Sequence, residues 1–388
     1  MELILKQYDI PLLRFSATND SSTPEIEVHW INEDQRHLLP LDMELSPEGI
    51  SRWMRRRTIP RNRAYVNRLL AKCGLNANRP MGILALCKGL SVDDSYWVVE
   101  EGFEGTFEKY NLFENRFSEV LALIAFTGYG SSNRSSLASS PEFTTNGMLP
   151  KCWRRISGKV TLYKGGTDGG YNTGAEPYCE YYAAQVAAAM GIDAIPYGLS
   201  QWKGRLCSTC ELFTDIDHAY MPIGNLVQRG GFDAVAAYYE NLGEPFQKAF
   251  RDMLVFDAVI CNTDRHYGNF GFIIDNKTNT IAAPAPLFDH GNSLFNQAGP
   301  EDYENAEAFQ QYINTLVPCV YDDFFATAKR FMADENREQL RKLLGFRFKR
   351  HVRYNLPPKR LKLMEEQVRK RAMRLLEREP ENVNISHI

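Results

Sequence analysis

Apolar and polar residues alternate through the first 45 positions of the chain, which predicts short β-strands there. The segments with this pattern are Glu2 to Gln7, Leu12 to Phe15 and Glu25 to Trp30. Ser46-Pro-Glu-Gly49 is typical of a helix start, and Ile50 to Leu70 continues with arginine and apolar residues at helical spacing. The sequence therefore predicts strands followed by a helix.

Residues 128 to 148 are rich in Gly, Ser, Asn and Thr, and they form the predicted boundary between domains or a loop that leads into an active site. After them, Lys159 to Lys164 is a short β-rich run. Glu176 to Gly191 is a predicted helix, with Pro177 near its first turn and a glycine at its end.

The second half of the chain is predicted to be mainly helical. Residues 232 to 263 predict two mostly apolar helices, and residues 302 to 378 predict more. Together with the strands, this pattern predicts an α+β fold in which an α/β amino-terminal lobe precedes a largely helical carboxy-terminal lobe.

Composition and length are those of a globular protein with two domains. The 388 residues are 44% apolar and 24% charged, and the eight cysteines are scattered. No apolar run reaches the roughly 18 residues that span a bilayer, and the amino terminus lacks a signal-peptide pattern. We therefore expect a cytoplasmic protein that does not associate with membranes.

Positive charge is concentrated near the carboxy terminus, although the net charge is only −3. From Arg341 to Arg378 there are fourteen Lys or Arg residues and three Glu. An apolar stripe at helical spacing favours a docked helix with a solvated basic face, and contact with nucleic acid or an acidic protein is the less favoured alternative. The stripe consists of Leu361, Met364, Val368, Met373 and Leu376.

Three polar residues in the helical half have the order and spacing of a phosphoryl-transfer site. Asp264 and Asn269 lie in Asn262-Thr-Asp-Arg-His-Tyr-Gly-Asn-Phe-Gly271, and Asp289 follows twenty residues later. Kinases present a carboxylate base, then an amide and a carboxylate that hold a divalent cation, in this order. The segment between Asn269 and Asp289 predicts a β-hairpin. The alternative is a surface loop in which Asp and Asn form turns.

This catalytic run, with Ala283-Pro284 and Phe288-Asp289, resembles the carboxy-terminal catalytic domain of the HipA-like serine/threonine kinases. These are bacterial proteins with a divergent, two-lobed protein-kinase-like fold, often tied to toxin–antitoxin systems. The resemblance covers roughly residues 130 to 340. It implies that Asp264 is the catalytic base, that the later Asn and Asp are magnesium ligands, and that ATP and Mg²⁺ are the cofactors.

The resemblance also implies a domain organisation. We expect residues 1–127 to form a β-rich and helical part of the small lobe and residues 128–215 to bind the nucleotide. Residues 216–388 are expected to form the helical catalytic lobe, which ends in the basic helix.

A kinase also needs a cation over the ATP phosphates and an acidic residue that fixes that cation. Lys164, at the end of a predicted strand, is the candidate cation. Glu180, in the following helix, is the candidate partner, and Glu176 is the alternative.

The run Thr144-Thr-Asn-Gly-Met-Leu-Pro-Lys151 is similar to the family's phosphate loop, Ser-x-x-Gly-x-x-x-Lys, with Gly147 in the place of the glycine. Glycine lets backbone N–H groups approach phosphate closely. Thr replaces the usual Ser and Pro150 removes a donor, so a plain linker is the alternative for each residue of the loop. Phosphate on Thr144 or Thr145, or on the Ser-rich run at 131 to 140, is expected to oppose ATP binding.

Two further assignments concern the same site. The resemblance places Glu211-Leu-Phe213 at the hinge whose backbone pairs with adenine. His266 lies inside the catalytic run, where a structural hydrogen-bonding role is favoured over a part in the chemistry.

The predicted function is ATP- and Mg²⁺-dependent phosphorylation of Ser or Thr in a protein substrate. A small-molecule or lipid kinase of the same fold is the first alternative, and a catalytically weak regulatory module is the second. The presence of Asp264, Asn269 and Asp289 argues against the second. An antitoxin partner is implied only by the resemblance.

Overall fold

Three antiparallel β-sheets follow one another along the chain. The computed structural model describes residues 1–18, 24–130, 140–170 and 172–377. In these residues, the strands of the first sheet lie before residue 101, those of the second between 151 and 211, and those of the third between 218 and 284.

The first unit is a four-stranded sheet with short helices around it. Its elements, with a 3-10 turn at Glu33–Leu38, are β1 (Glu2–Gln7), β2 (Ile10–Ala17), β3 (Ile26–Ile31), α1 (Pro47–Arg56), α2 (Val66–Lys72), α3 (Pro80–Cys87), β4 (Tyr96–Glu100), α4 (Phe107–Tyr110) and α5 (Glu119–Thr127). The strand order is β3-β2-β1-β4.

The three predicted strands of this unit are confirmed, whereas the single helix expected over Ile50 to Leu70 is wrong. The helix start is where the sequence places it, because the Ser46 hydroxyl accepts a hydrogen bond of 3.1 Å from the Gly49 N–H. The helix ends at Arg56, since Pro60 in the next segment cannot donate to a helical carbonyl. Helix α3 and strand β4 had no counterpart in the prediction.

The second unit supplies one wall of a cleft. After a 3-10 turn at Pro141–Phe143, it contains β5 (Lys151–Ile156), β6 (Lys159–Gly165), α6 (Glu176–Met190), β7 (Gly198–Trp202) and β8 (Arg205–Glu211). The strand order is β5-β6-β8-β7. The predicted strand and helix are confirmed, and Gly191 ends α6 with a φ of +79°, a value that glycine adopts without steric cost.

The third unit is a small sheet followed by helices. It contains β9 (His218–Pro222), α7 (Ile223–Leu226), α8 (Gly231–Leu242), α9 (Phe246–Ile260), β10 (Gly271–Asp275), β11 (Thr280–Pro284), α10 (Ala306–Ile313), α11 (Phe324–Phe331), α12 (Asp334–Arg341) and α13 (Pro358–Leu376). The predicted hairpin is confirmed as β10 and β11, with β9 as an added strand. No helix among the described residues is long and apolar enough to cross a membrane.

Helix α13 packs on the helical core, but its buried face differs from the predicted stripe. Leu361, Met364 and Val368 are buried as expected, whereas Met373 is 47% exposed and Leu375 is buried instead. Two of its basic side chains also serve packing. Arg371 donates to the Ala258 carbonyl at 2.6 Å, and Arg374 stacks on the Phe325 ring at 3.9 Å.

A buried arginine joins the first unit to the second. Arg63 forms an ion pair with Glu142, and both side chains are at most 1% exposed. The Arg63 guanidinium also donates to the Lys151 carbonyl at 2.9 Å, and the Thr144 hydroxyl donates to the Leu90 carbonyl at 2.9 Å. The first unit therefore fixes both ends of the run Thr144–Lys151.

We expect Arg63→Met to destabilise the protein by about 3–5 kcal/mol, because it leaves the Glu142 carboxylate buried without its cation. The free energy of unfolding from urea denaturation tests this. The double variant Arg63→Met/Glu142→Leu should recover part of the loss, and Arg116→Met, at an exposed arginine, is the control. A loss below about 1 kcal/mol for Arg63→Met would contradict the structural role.

Candidate active site

A cleft of about 760 Å³ lies between the second sheet, the loop after α9 and the carboxy-terminal end of α1. One part of it is apolar, with Leu162, Ile195, Phe213 and Phe288 among its lining residues. Next to this part lie polar side chains that the sequence predicts for the site, namely Lys151, Lys164, His266, Asn269 and Asp289. A flat apolar ring and a charged group could therefore bind side by side.

Lys164 is held between two carboxylates. Its Nζ lies 2.6 Å from Glu180 Oε1 and 2.5 Å from Asp289 Oδ1. The Lys164 and Glu180 side chains are 7% and 1% exposed, and the Asp289 side chain is 33% exposed. The Ser208 hydroxyl donates to the second oxygen of Glu180. Of the two candidate glutamates, Glu180 is the one that pairs with Lys164. The Glu176 carboxylate accepts hydrogen bonds from Thr167 instead.

The charges of this cluster stabilise one another. Burial alone would lower the pKa of Lys164, but the carboxylates of Asp289 and Glu180 outweigh it and raise that pKa. Burial alone would raise the pKa of Asp289, but the Lys164 and Lys151 cations outweigh it and hold that pKa below its usual range. Asp289 is therefore an ionised oxygen donor at neutral pH.

Asp289 sits in an unusual backbone conformation. Its φ is +55°, in the left-handed region that few residues other than glycine, Asn and Asp adopt. Its N–H donates to the Tyr197 hydroxyl at 3.1 Å, a contact that sequence analysis did not foresee. The hydrogen bond fixes the direction in which the carboxylate leaves the chain.

The loop after α9 orients Asp264 and Asn269. The Asn292 side-chain amide donates to Asp264 Oδ2 at 2.8 Å, and the Asn269 amide donates to the Asp264 carbonyl at 3.1 Å. Because an amide donates through nitrogen, the Asn269 Oδ1 is available as an oxygen ligand. Asn292 was not among the predicted site residues, since it lies 28 residues from Asp264 in the sequence.

Arg265 ties this loop to the segment that carries Asp289. Its buried guanidinium pairs with Asp257 at 2.9 Å. It also donates to the Asn269 carbonyl at 3.1 Å and to the Phe288 carbonyl at 2.6 Å. The two candidate ligand residues are therefore positioned by one rigid, fully hydrogen-bonded group.

The run Thr144–Lys151 forms a turn at the edge of the cleft. Gly147 has a φ of +91°, which glycine adopts without steric cost, and a Cβ there would lie 2.2 Å from Lys151 Nζ and displace that amino group. Lys151 Nζ donates to the Asn146 carbonyl at 2.8 Å. In the β5–β6 ladder Lys151 is directly opposite Lys164, which places two cations on the same face of the sheet.

The two threonines of this run have engaged hydroxyls. Thr144 donates to the Leu90 carbonyl, and Thr145 donates to Pro141 at 2.7 Å and accepts from Trp153 Nε1 at 2.9 Å. Phosphate on either hydroxyl would require this turn to open. The other predicted phosphorylation segment, 131 to 140, lies outside the described residues except for Ser140.

The remaining predicted residues also border the cleft. Glu211 lines the cleft, and its exposed side chain pairs with Lys159 at 2.8 Å. The Phe213 ring packs on Phe288 at 5.4 Å between centroids. His266 is exposed and its Nδ1 accepts from the Gly268 N–H at 3.1 Å, a contact that closes the loop.

The oxygen atoms of Asn269 and Asp289 are too few to hold a divalent cation without further ligands from a bound molecule. Among the described residues, no group of three or more His, Cys, Asp or Glu is arranged to hold a metal. Asn269 and Asp289 would supply two oxygen ligands, and phosphate oxygens and water would complete an octahedral shell around Mg²⁺. This arrangement fits an ion that arrives with a nucleotide.

We expect Lys151 to take up a proton when a nucleotide binds, because its pKa in the free protein is low. Burial, with a contribution from Lys164, lowers its pKa to about 7. Bound phosphates would raise this pKa, so above pH 7 binding takes up a proton and the affinity for ATP falls as pH rises. Calorimetry at pH 8 in buffers of different ionisation enthalpy measures the uptake. We expect the proton uptake to disappear in Lys151→Met. It should persist in the control Lys203→Met, which changes an exposed lysine. Equal uptake in both variants would show that Lys151 is not the group that takes up the proton.

Comparison with known proteins assigns the fold. No model of a known protein family matches the chain. A chain of the Shewanella oneidensis MR-1 toxin–antitoxin complex of HipA, HipB and operator DNA matches 96% of this chain and 97% of its own length, with 13% identity and a TM-score of 0.52. The fold is therefore the α+β, two-lobed fold of the HipA-like kinases, as the sequence motifs predict.

A relative at the level of sequence is a kinase of Helicobacter pylori. The serine/threonine-protein kinase CtkA of strain J99 / ATCC 700824 is 27% identical over 135 residues, which cover 31% of this chain and 41% of CtkA. This chain thus spans less than half the length of the curated relative. The match to the crystal structure of CtkA covers 60% of this chain and 92% of the CtkA chain, with 16% identity and a TM-score of 0.48. The resemblance to the HipA-like kinases is confirmed.

Proposed function

We propose that this protein transfers the γ-phosphate of ATP, with Mg²⁺, to a Ser or Thr hydroxyl of a protein substrate. The observation that supports this most strongly is Lys164, which is bonded to both Glu180 and Asp289 in a cleft that Asn269 also lines. A cation fixed by a helix glutamate next to a metal-binding carboxylate is the arrangement with which kinases align ATP phosphates.

Each residue then has one task in the transfer. Lys164 and Lys151 would bind phosphate oxygens, and Asn269 and Asp289 would hold Mg²⁺, which when bound would neutralise part of the charge of the phosphates. Asp264, oriented by Asn292, accepts the proton of the acceptor hydroxyl as its oxygen bonds to the γ-phosphorus and ADP leaves. The apolar part of the cleft, with the backbone of Glu211–Phe213, is assigned to adenine.

The biological setting is a second part of the proposal. The fold match is to a chain from a complex of HipA with HipB and operator DNA, which supports an antitoxin partner and a toxin role for this chain. Because ATP is the donor, we place the reaction in the cytoplasm. Expression of the chain alone should slow growth of the host, and Asp264→Ala should remove the effect.

Labelled ATP tests the activity and the acceptor together. The purified protein is incubated with γ-labelled ATP, Mg²⁺ and host lysate, and the labelled species are identified by mass spectrometry. We expect phosphoserine or phosphothreonine in a protein. Label only in a small molecule or a lipid would replace the protein-kinase proposal with the alternative acceptor class.

The two lysines should differ in importance. Lys164→Ala is expected to lower kcat/KM by about tenfold or more, because it removes the cation that bridges phosphate, Glu180 and Asp289. Lys151→Ala should have a smaller effect if the turn above it only covers the phosphates. Steady-state kinetics of both variants, with thermal melts to check folding, measure the order; the reverse order would show that the two roles are exchanged.

A further inference from the structure

The cleft extends beyond the groups assigned to ATP. Its lining also includes Pro222 and Asn225, the end of α1 at Arg55 and the segment that continues to Arg61, and we call these residues the far part. Those residues belong to the first and third units, whereas the assigned phosphate cations belong to the second. The third unit joins this part to the catalytic loop, because the Gly224 N–H donates to the Tyr267 carbonyl at 2.9 Å. The segment after Arg61 also meets the turn Thr144–Lys151, where the Ala64 N–H donates to the Met148 carbonyl at 2.9 Å.

The charges that line the far part are mostly compensated in pairs. Arg56 pairs with Asp42 at 2.9 Å, and the same carboxylate accepts from Asn225 at 2.9 Å. Arg57 pairs with Asp94 through two bonds of 2.7 Å and is buried. These pairs leave no net charge for a ligand.

Two arginines and one aspartate in the far part form no ion pair with the described residues. Arg55 and Arg61 are exposed, and neither has an ion-pair partner among the described residues. Asp93 has no ion-pair partner there either, but its carboxylate accepts from the Ser91 hydroxyl at 3.0 Å. The far part of the cleft therefore presents two exposed guanidinium groups without an ion-pair partner, together with one carboxylate that accepts from Ser91.

We propose that Arg55 and Arg61 select acceptor segments that carry acidic residues near the Ser or Thr. The proposal rests on the kinase function above and names the substrate class of that site. Guanidinium groups bind carboxylates in a planar, often bidentate geometry, and two exposed contacts amount to about a tenfold change in affinity. An extended peptide would lie along the cleft and bring its hydroxyl to Asp264.

Peptide binding tests the proposal without depending on turnover. A fluorescent nonapeptide with one Ser among Gly and Glu residues is titrated with the full chain by anisotropy, beside the same peptide with Gln for Glu. We expect the Glu peptide to bind about tenfold more tightly, and Arg55→Glu/Arg61→Glu to remove the difference. Arg116→Glu, at an exposed arginine outside the cleft, is the matched control and should keep it.

Three results would overturn the proposal. Equal affinity for the Glu and Gln peptides would show that the arginines do not select acidic segments. A loss of ATP affinity in the double variant would assign the arginines to the nucleotide phosphates. A single-stranded oligonucleotide that binds more tightly than the Glu peptide, with the same dependence on the arginines, would assign them to nucleic acid.

The test also separates this proposal from the kinase function. If the Gln peptide is phosphorylated as efficiently as the Glu peptide, the selection fails and the kinase function stands. If the Glu peptide binds but no peptide and no lysate protein is phosphorylated, the cleft binds acidic chains and the kinase function fails. If the Glu peptide is phosphorylated with the lower KM, and the double variant raises that KM without changing the KM for ATP, both stand.

Discussion

Asp289→Asn is expected to lower phosphoryl transfer at least about a hundredfold, because the substitution keeps the shape of the side chain and removes the charge that Mg²⁺ requires. Lys164 loses one of its two carboxylate partners at the same time. Steady-state kinetics over a range of Mg²⁺ concentrations measure the effect, and raised Mg²⁺ should recover only part of the activity.

Asp334→Asn is the control for this substitution. The Asp334 side chain is fully exposed at the start of α12, away from the cleft lining, so its change should leave kcat within about twofold of the wild type. Wild-type turnover in Asp289→Asn would show that Asp289 is not a metal ligand.

Asp264→Ala is expected to separate binding from catalysis. Nucleotide affinity should remain close to that of the wild type, because the role proposed for Asp264 is a contact with the acceptor and not with ATP. Transfer should fall by about 10²–10⁴-fold as the proposed general base is lost. Calorimetry with ATP and Mg²⁺ measures the first quantity, and single-turnover transfer measures the second.

Asn292→Ala provides a graded comparison for Asp264→Ala. It removes the 2.8 Å hydrogen bond to Asp264 Oδ2 and keeps the base, so transfer should fall less than in Asp264→Ala. If Asp264→Ala transfers phosphate at the wild-type rate, Asp264 is not the general base.

The candidate catalytic residues could be proposed from the sequence because the chemistry of phosphoryl transfer requires a fixed order within a short segment. Asp264 and Asn269 share one loop, and the hairpin to Asp289 is local, so the pattern of turn and apolar residues was sufficient. Lys164 and Glu180 are 16 residues apart and lie on β6 and α6, which follow each other in the chain with a loop of ten residues between them.

The supporting contacts could not be predicted because they join distant parts of the chain. Arg63 meets Glu142 across 79 residues, and Tyr197 meets the Asp289 backbone across 92. Local patterns contain no information about such pairs. The misplaced helix boundary after Arg56 has a local cause, since the apolar spacing continued through a proline that a helix does not tolerate.

In the proposed reaction, this cleft binds ATP with Mg²⁺ and yields ADP and a phosphorylated acceptor. Phosphorus NMR of ATP with stoichiometric protein, Mg²⁺ and the Glu-containing Ser peptide observes the donor and the product together. We expect the γ-phosphate signal to decay while ADP and a phosphoserine signal grow, and we expect neither change without Mg²⁺ or in Asp289→Asn. An unchanged ATP spectrum, or identical decay in the wild type and Asp289→Asn, would contradict the proposed reaction.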